Sequence, residues 1–253
     1  MPADDQIRGY FRTLYAAWGR QHWWPGQSSF EVIVGAYLTQ NTSWVNVERA
    51  MQSLRRVRVL SVRGIRRTPV RKLERLIRSS GYFRQKAQRL KTFVNFIDER
   101  YGGSLSRMFA EPTAKLRGEL LALNGIGPET ADSILLYAGN HPVFVVDAYT
   151  RRILERHGLA ETRTSYEEIR ELFERSLRLL VGERLECAPA STNNGPTGSC
   201  HPPSRMSTAK REAAVQIFNE MHGLMVGVGK NYCKKSQAEC ERCPLKKFLP
   251  GAE

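Results

Sequence analysis

The stretch from Leu120 to Ala131 limits what this chain can become more than any other. Leu120, Leu121 and Leu123 close a helical pattern, Gly125 and Gly127 flank Ile126 in a Gly-x-Gly turn, and Pro128 opens a new helix. Glycine at both turn positions permits positive backbone dihedrals and leaves no side chain above the turn. Proline suits the first helical position, where its missing N–H costs nothing. The product is a helix-hairpin-helix whose turn and second N-terminus present backbone N–H groups to an anion such as a phosphate. After the second helix a short apolar run, Pro142 to Val146, delivers Asp147. Singly, these features are common: Gly-x-Gly ends many helices, and an aspartate before Ala148 to Arg156 would serve as an N-cap. Their combination in a strongly basic chain is not common.

The basic balance is pronounced. Thirty-nine lysines and arginines against 25 aspartates and glutamates leave 253 residues with a formal charge of +14, so a polyanionic partner is expected. A membrane is not expected, because no apolar run reaches about twenty residues. Met1 to Ile7 is polar and acidic rather than a signal peptide, which predicts a cytoplasmic, nucleoid-associated protein. Helical periodicity nearly throughout predicts an all-α fold. The five cysteines are odd in number and cluster in the last quarter, which suits a metal better than a secreted disulfide framework.

In chain order, residues 6 to 20 read as an amphipathic helix carrying Ile7, Tyr10, Phe11, Leu14 and Trp18. Trp23 and Trp24 follow in a segment that Pro25 and Gly26 keep irregular. They are either core plugs or walls of a pocket for a flat aromatic base. Ser28 or Ser29 caps the next helix. The polar cluster Gln40 to Ser43 interrupts the pattern before a helix over Val45 to Val57. Ten arginines and lysines between Arg55 and Arg78 predict a positive surface for non-specific phosphate attraction. Helices follow over Tyr149 to His157, Tyr166 to Val181 and about Ala213 to Val228. The last carries Val215, Phe218, Met221, His222 and Met225 at core spacing. Residues 186 to 209 are rich in Pro, Gly, Ser, Thr and Asn and read as a flexible insertion.

The hairpin and Asp147 resemble those of the endonuclease III family, the helix-hairpin-helix DNA glycosylases. The turn Gly81-Tyr82-Phe83-Arg84-Gln85-Lys86-Ala87 resembles the family's Gly-aromatic-x-x-Lys-Ala. The resemblance implies an all-α, two-lobed fold with DNA in a cleft between lobes. One lobe would be a six-helix domain over residues 28 to 140, its hairpin at about 115 to 139. The other would join residues 1 to 27 to 141 to 253. It implies a monomer acting on double-stranded DNA that contains a damaged base, flipped from the stack for excision. Asp147 would stabilise the oxocarbenium-like sugar, while Gly125, Gly127 and Thr130 hold the phosphate backbone and Gln40 fills the vacated space. A solvent-facing loop amide is the plainer reading of Gln40.

Glu129 departs from the bifunctional branch, where that position is the lysine that forms a Schiff base. Glutamate cannot form an imine, which predicts a monofunctional enzyme without efficient AP lyase activity. Trp23-Trp24-Pro25, Leu38 to Thr42 and the Gly-Ile-Gly-x-Glu hairpin are similar to the 3-methyladenine DNA glycosylase III branch. That likeness implies a base held between Trp24 and Trp44, with Trp23 and Pro25 beside them. A cationic alkylated purine such as 3-methyladenine would gain cation–π attraction there. It also places Lys230 where the branch carries a modified lysine, although a helix C-terminus favours lysine anyway. Cys233, Cys240 and Cys243 have the C-x6-C-x2-C spacing of the family's 4Fe-4S loop, but Leu249 stands where the fourth cysteine belongs. The loop would then hold a cluster completed by Cys187 or Cys200, a zinc ion, or no metal. Three rivals stay open: an endonuclease III-type glycosylase and AP lyase for oxidised pyrimidines, a non-catalytic hairpin DNA-binding protein, and a basic interaction protein with no DNA role.

Overall fold

The computed structural model describes residues 1–183 and 203–251. The helices in chain order are α1 Ala3–Trp18, α2 Ser29–Thr39, α3 Trp44–Arg56, α4 Val62–Arg67, α5 Val70–Leu76, α6 Phe83–Tyr101, α7 Leu105–Phe109, α8 Thr113–Leu121, α9 Pro128–Ser133, α10 Ala148–Arg156, α11 Tyr166–Arg178 and α12 Ala213–Asn231. Among the described residues there is no strand ladder, only an isolated bridge between Cys233 and Ala238. None of the described helices is long and apolar enough to cross a membrane. The chain divides into two compact units, Met1–Pro25 with Pro142–Glu253, and Gly26–His141.

In the second unit, α2 is apolar on nearly every side and is buried from Phe30 to Leu38, as a central helix must be. Its start is fixed by Ser28, whose side chain accepts from the Glu31 N–H at 3.2 Å. Its end is fixed by Lys86 of α6, whose Nζ donates to the Leu38 carbonyl at 2.9 Å and the Ser80 carbonyl at 2.7 Å. One buried ammonium thus satisfies the buried terminal carbonyls of two helical ends. The arginine-rich stretch forms two short helices, α4 and α5, and part of its charge is structural. Arg66 pairs with Asp98 (Nε to Oδ2 2.7 Å), and Arg55 pairs with Glu31 at 2.9 Å.

The other unit packs α1 against α11 and α12, and α10 against α12. Gly229 is the reason α10 comes so close, since a Cβ there would lie 2.6 Å from the Tyr149 Cβ. Arg152 then ties the two helices, donating to the carbonyls of Cys233 at 2.7 Å and Gly229 at 3.2 Å.

Several boundaries differ from the sequence reading. The first helix begins earlier than expected, at Ala3, and stops at Trp18 before Gly19, which sits at φ 64° as a helix-ending glycine. The helix expected from Val45 begins at Trp44, and the last one continues to Asn231. Within the expected insertion, residues 203–209 form a turn in which Ser204 and Ser207 are buried and hydrogen-bonded to each other. Residues 186–202 of that insertion, with Cys187 and Cys200, lie outside the described residues.

Candidate active site

The hairpin forms as α8, a turn and α9, and α9 runs on into a wider π-type turn over Ile134–Ala138. Only one of its glycines needs a positive dihedral. Gly125 sits at φ 84°, whereas Gly127 is extended at φ −97° as the N-cap of α9, which corrects the expectation for both. The space above Gly125 is occupied by the Arg89 side chain, so a Cβ there would collide with the guanidinium. Above Gly127 the space is open.

Arg89 is not an isolated neighbour. Its Nη1 donates to Gln40 Oε1 at 2.7 Å, and Gln40 Nε2 donates to the Gly125 carbonyl at 3.0 Å and to Thr130 Oγ1 at 2.9 Å. Gln40, Gly125 and Thr130, picked separately from the sequence, therefore form one network with a cation at its edge. Gln40 is no free loop amide here, because both ends of its side chain are engaged. Tyr82, at a left-handed φ of 44° and 64% exposed, stands out in the neighbouring turn. Arg58, Arg63, Arg67 and Lys72 line one open pocket around α4, the positive surface expected of that run. Trp44 is half-buried at the first position of α3.

Asp147 is built in the other unit by the apolar run before it. Val143 to Val146 are buried, and Phe144 stacks on Phe173 with ring centres 4.3 Å apart. The backbone of this extended segment is satisfied by α11. The Phe144 N–H donates to Glu174 Oε1 at 2.9 Å and the Val146 N–H to the Tyr166 hydroxyl at 3.3 Å. Asp147 then caps α10, its Oδ1 accepting from the Thr150 N–H at 2.8 Å. Its Oδ2 faces His222 Nε2 of α12 at 3.6 Å. Burial pushes this carboxyl toward protonation, but His222 and the Thr150 N–H outweigh it and hold its pKa below the usual carboxylate range.

Trp23 joins this carboxylate through His222, and Lys230 through the Asp147 charge. Trp23 meets the His222 ring edge-on, with centroids 5.7 Å apart, and Lys230 Nζ lies 5.8 Å from the Trp23 ring centre. Partial desolvation lowers the Lys230 pKa, and the Asp147 charge works against that, although the residue as a whole stays exposed. Trp24 packs edge-on against Trp23, and both tryptophans are buried, at 6% and 7% exposure. Pro25 is half-buried beside them. Asp147, Trp23 and Lys230 are thus brought together, and His222 joins them unannounced. Its spacing on α12 is that of a core residue, and the sequence holds no signal of its partner.

Cys233, Cys240 and Cys243 line a single pocket together with His157, Arg156 and Leu249. Arg156 donates to Cys233 Sγ at 3.2 Å, and burial raises the Cys243 thiol to about 11. His157 is engaged, its Nδ1 2.7 Å from the Tyr10 hydroxyl. Among the described residues no group of three or more His, Cys, Asp or Glu is arranged to hold a metal ion. These three thiols and Leu249 do not make the four-ligand set of an iron–sulfur cluster.

A buried carboxylate with a histidine and aromatic rings near it in one unit, and a Gly-x-Gly hairpin that can offer N–H groups to an anion in the other, suit a helical enzyme acting on nucleic acid. The family follows directly: residues 34–179 match the HhH-GPD superfamily of base excision DNA repair proteins, and the chain belongs to it. It is a DNA glycosylase of base excision repair. It is similar to the Methanocaldococcus jannaschii protein named "Putative DNA repair glycosylase MJ1434", 38% identical over 96% of either chain. It is also similar to endonuclease III of Thermotoga maritima, 28% identical over 86% of this chain and 80% of that one. Among solved structures it resembles the H. pylori 3-methyladenine DNA glycosylase MagIII bound to 1,N6-ethenoadenine. The TM-score is 0.70 and the identity 26%, over 91% of this chain and 98% of that one.

Proposed function

We propose that this chain is a monofunctional glycosylase that flips an alkylated purine such as 3-methyladenine out of duplex DNA and removes it with water. The observation that carries this reading is Asp147, a mostly buried carboxylate kept ionised at the N-terminus of α10 beside an aromatic and cationic cluster. In the reaction the bond between C1′ and the purine nitrogen breaks, and the bonding pair leaves with the cationic base, which departs neutral. Positive charge builds on the sugar, where Asp147 stabilises it. Water adds its oxygen to C1′ and gives its proton to Oδ2 of Asp147, which returns it to solvent.

Glu129 at the hairpin supports water as nucleophile, since it offers no amine. Trp44, half-buried, is the more exposed of the two rings that would hold a flipped base, and Trp24 is buried at 6% exposure. The Gln40 network positions the hairpin turn, whose Gly125 and Gly127 N–H groups receive the backbone phosphate. A second reading has one observation in its favour. Lys230 is an amine of lowered pKa near Asp147, which is what a Schiff-base lyase acting on oxidised pyrimidines would use.

Incubation with methylated duplex and with thymine-glycol duplex, each with and without later alkali and with borohydride, separates the two. Released 3-methyladenine, strand breaks only after alkali and no borohydride-trapped adduct are expected. A trapped adduct that disappears in Lys230→Ala would replace water with Lys230 and overturn the monofunctional reading.

A further inference from the structure

The two oxygens of Asp147 are treated differently by the fold. Oδ1 is committed to capping α10 through the Thr150 N–H, so Oδ2 alone is left to meet the sugar or the water. Facing Oδ2 is the imidazole of His222, 4% exposed, on a helix that supplies none of the hairpin. That ring is clamped. Phe144 stands edge-on to it with centroids 6.4 Å apart, and Trp23 does the same from another side at 5.7 Å. The next residue, Gly223, lets residues 21 to 23 press onto α12, since a Cβ there would lie 2.9 Å from Gln21 Cβ and 3.2 Å from Trp23 Cβ. A ring so enclosed by rigid aromatics has little freedom to turn away from the carboxylate.

We propose that His222 is the positioning residue of Asp147, its Nε2 setting the direction of Oδ2 while the Thr150 N–H holds Oδ1. The proposal rests on the reading of Asp147 as the reacting carboxylate. Burial by itself drives a carboxyl to take up a proton, and a protonated Asp147 can neither stabilise the sugar cation nor accept a proton from water. Among the described residues, the groups facing Asp147 are His222 and Lys230 from α12, Thr150 from its own helix, and the Tyr166 hydroxyl of α11 one residue away, on the Val146 N–H. Lys230 senses the Asp147 charge, yet the shift of Asp147 itself arises from His222 and Thr150. At 3.6 Å the imidazole is just outside hydrogen-bond length, the distance at which a small inward shift on substrate binding completes the bond.

The test uses the full chain with His222→Phe, which keeps an aromatic ring but has no N–H, and His222→Gln, which restores an N–H donor. Carboxyl NMR of Asp147 without DNA, and single-turnover release of 3-methyladenine across pH, are read beside duplex affinity. In His222→Phe the protonation of Asp147 and the acid limb of the rate profile should both move up by about one pH unit or more. The rate below neutrality should fall by about 10- to 100-fold, with duplex Kd within about twofold, and His222→Gln should recover most of it. An Asp147 titration unmoved in folded His222→Phe overturns the proposal. Should that variant fail to fold, the His222 ring resonances of the wild type decide. An inflection at the Asp147 step that vanishes in Asp147→Asn supports the pairing, and its absence overturns it. A wild type that releases no alkylated purine refutes the substrate reading above, and the DNA-free titration still decides the pairing.

Discussion

Replacing Lys86 with methionine removes an ammonium and leaves a stem of similar length. The side chain is 1% exposed, and its Nζ donates to the carbonyl of Leu38 at the end of α2 and to that of Ser80 at the end of the short helical turn Arg78–Ser80. Each charge-assisted bond contributes about 1.5–3 kcal/mol, and a buried carbonyl left without a donor costs about 1–3 kcal/mol. The desolvation of a buried ammonium offsets part of this, so a net loss of about 2–4 kcal/mol is expected for Lys86→Met. The same desolvation, reinforced by Arg89, lowers the Lys86 pKa to about 8. The sign of the pH dependence follows from that depression. Above the folded value the native state has released a proton that the unfolded chain keeps until about pH 10.4, so the Lys86 contribution grows with pH across that window, at most about 1.4 kcal/mol per unit. It is lost again as pH falls through the folded value. Urea unfolding of wild type and Lys86→Met, in parallel at neutral pH and at about pH 9.5, should show a gap that widens on the alkaline side. A cost below about 1 kcal/mol together with a pH-independent gap would refute the double-cap account. Because Leu38 lies two residues before Gln40, the variant should also weaken duplex binding.

The two hairpin glycines should respond differently. Gly125→Ala forces a positive φ and displaces Arg89, costing about 2–3 kcal/mol and weakening duplex binding severalfold, whereas Gly127→Ala should cost under about 0.5 kcal/mol in the same urea and binding assays. Equal effects at both would show that the Arg89 contact is immaterial. Trp24→Ala empties a buried site and should lower stability by about 3–5 kcal/mol. Trp44→Ala should cost far less stability yet reduce base release more than about tenfold at unchanged duplex affinity. Comparable stability losses would make Trp44 a core residue. Treatment with a chelator and dithionite should leave base release within about twofold, because no step runs through the cysteine loop. Activity lost in proportion to removed metal would contradict that.

What could be read from the sequence was what is written locally. The hairpin announces itself because glycine and proline report backbone conformation residue by residue, and Asp147 follows an apolar run that can only be buried. The helix stripes of α1 and α12 are legible for the same reason, with differences only at ends such as Ala3 and Asn231. The features that stayed hidden join distant parts of the chain. Arg89 belongs with Gly125 and Gln40, Lys86 caps two helical ends, and His222 faces Asp147, but each looks in sequence like a surface cation or a core position. Gly127 shows the complementary case: glycine in a turn permits a positive φ, but this extended N-cap does not use one. The short helices α4 and α5 are masked by arginines that read as surface charge, although Arg66 of α4 fastens the unit through Asp98.

Asp147→Asn is the most direct test. Asparagine caps a helix as well as aspartate, so the fold and the Thr150 contact should survive while the charge is lost. Under single-turnover conditions on methylated duplex, release of 3-methyladenine should fall by about 10²- to 10⁴-fold with duplex affinity within about twofold. A variant that binds DNA and excises the base at the wild-type rate would show that the chemistry resides elsewhere.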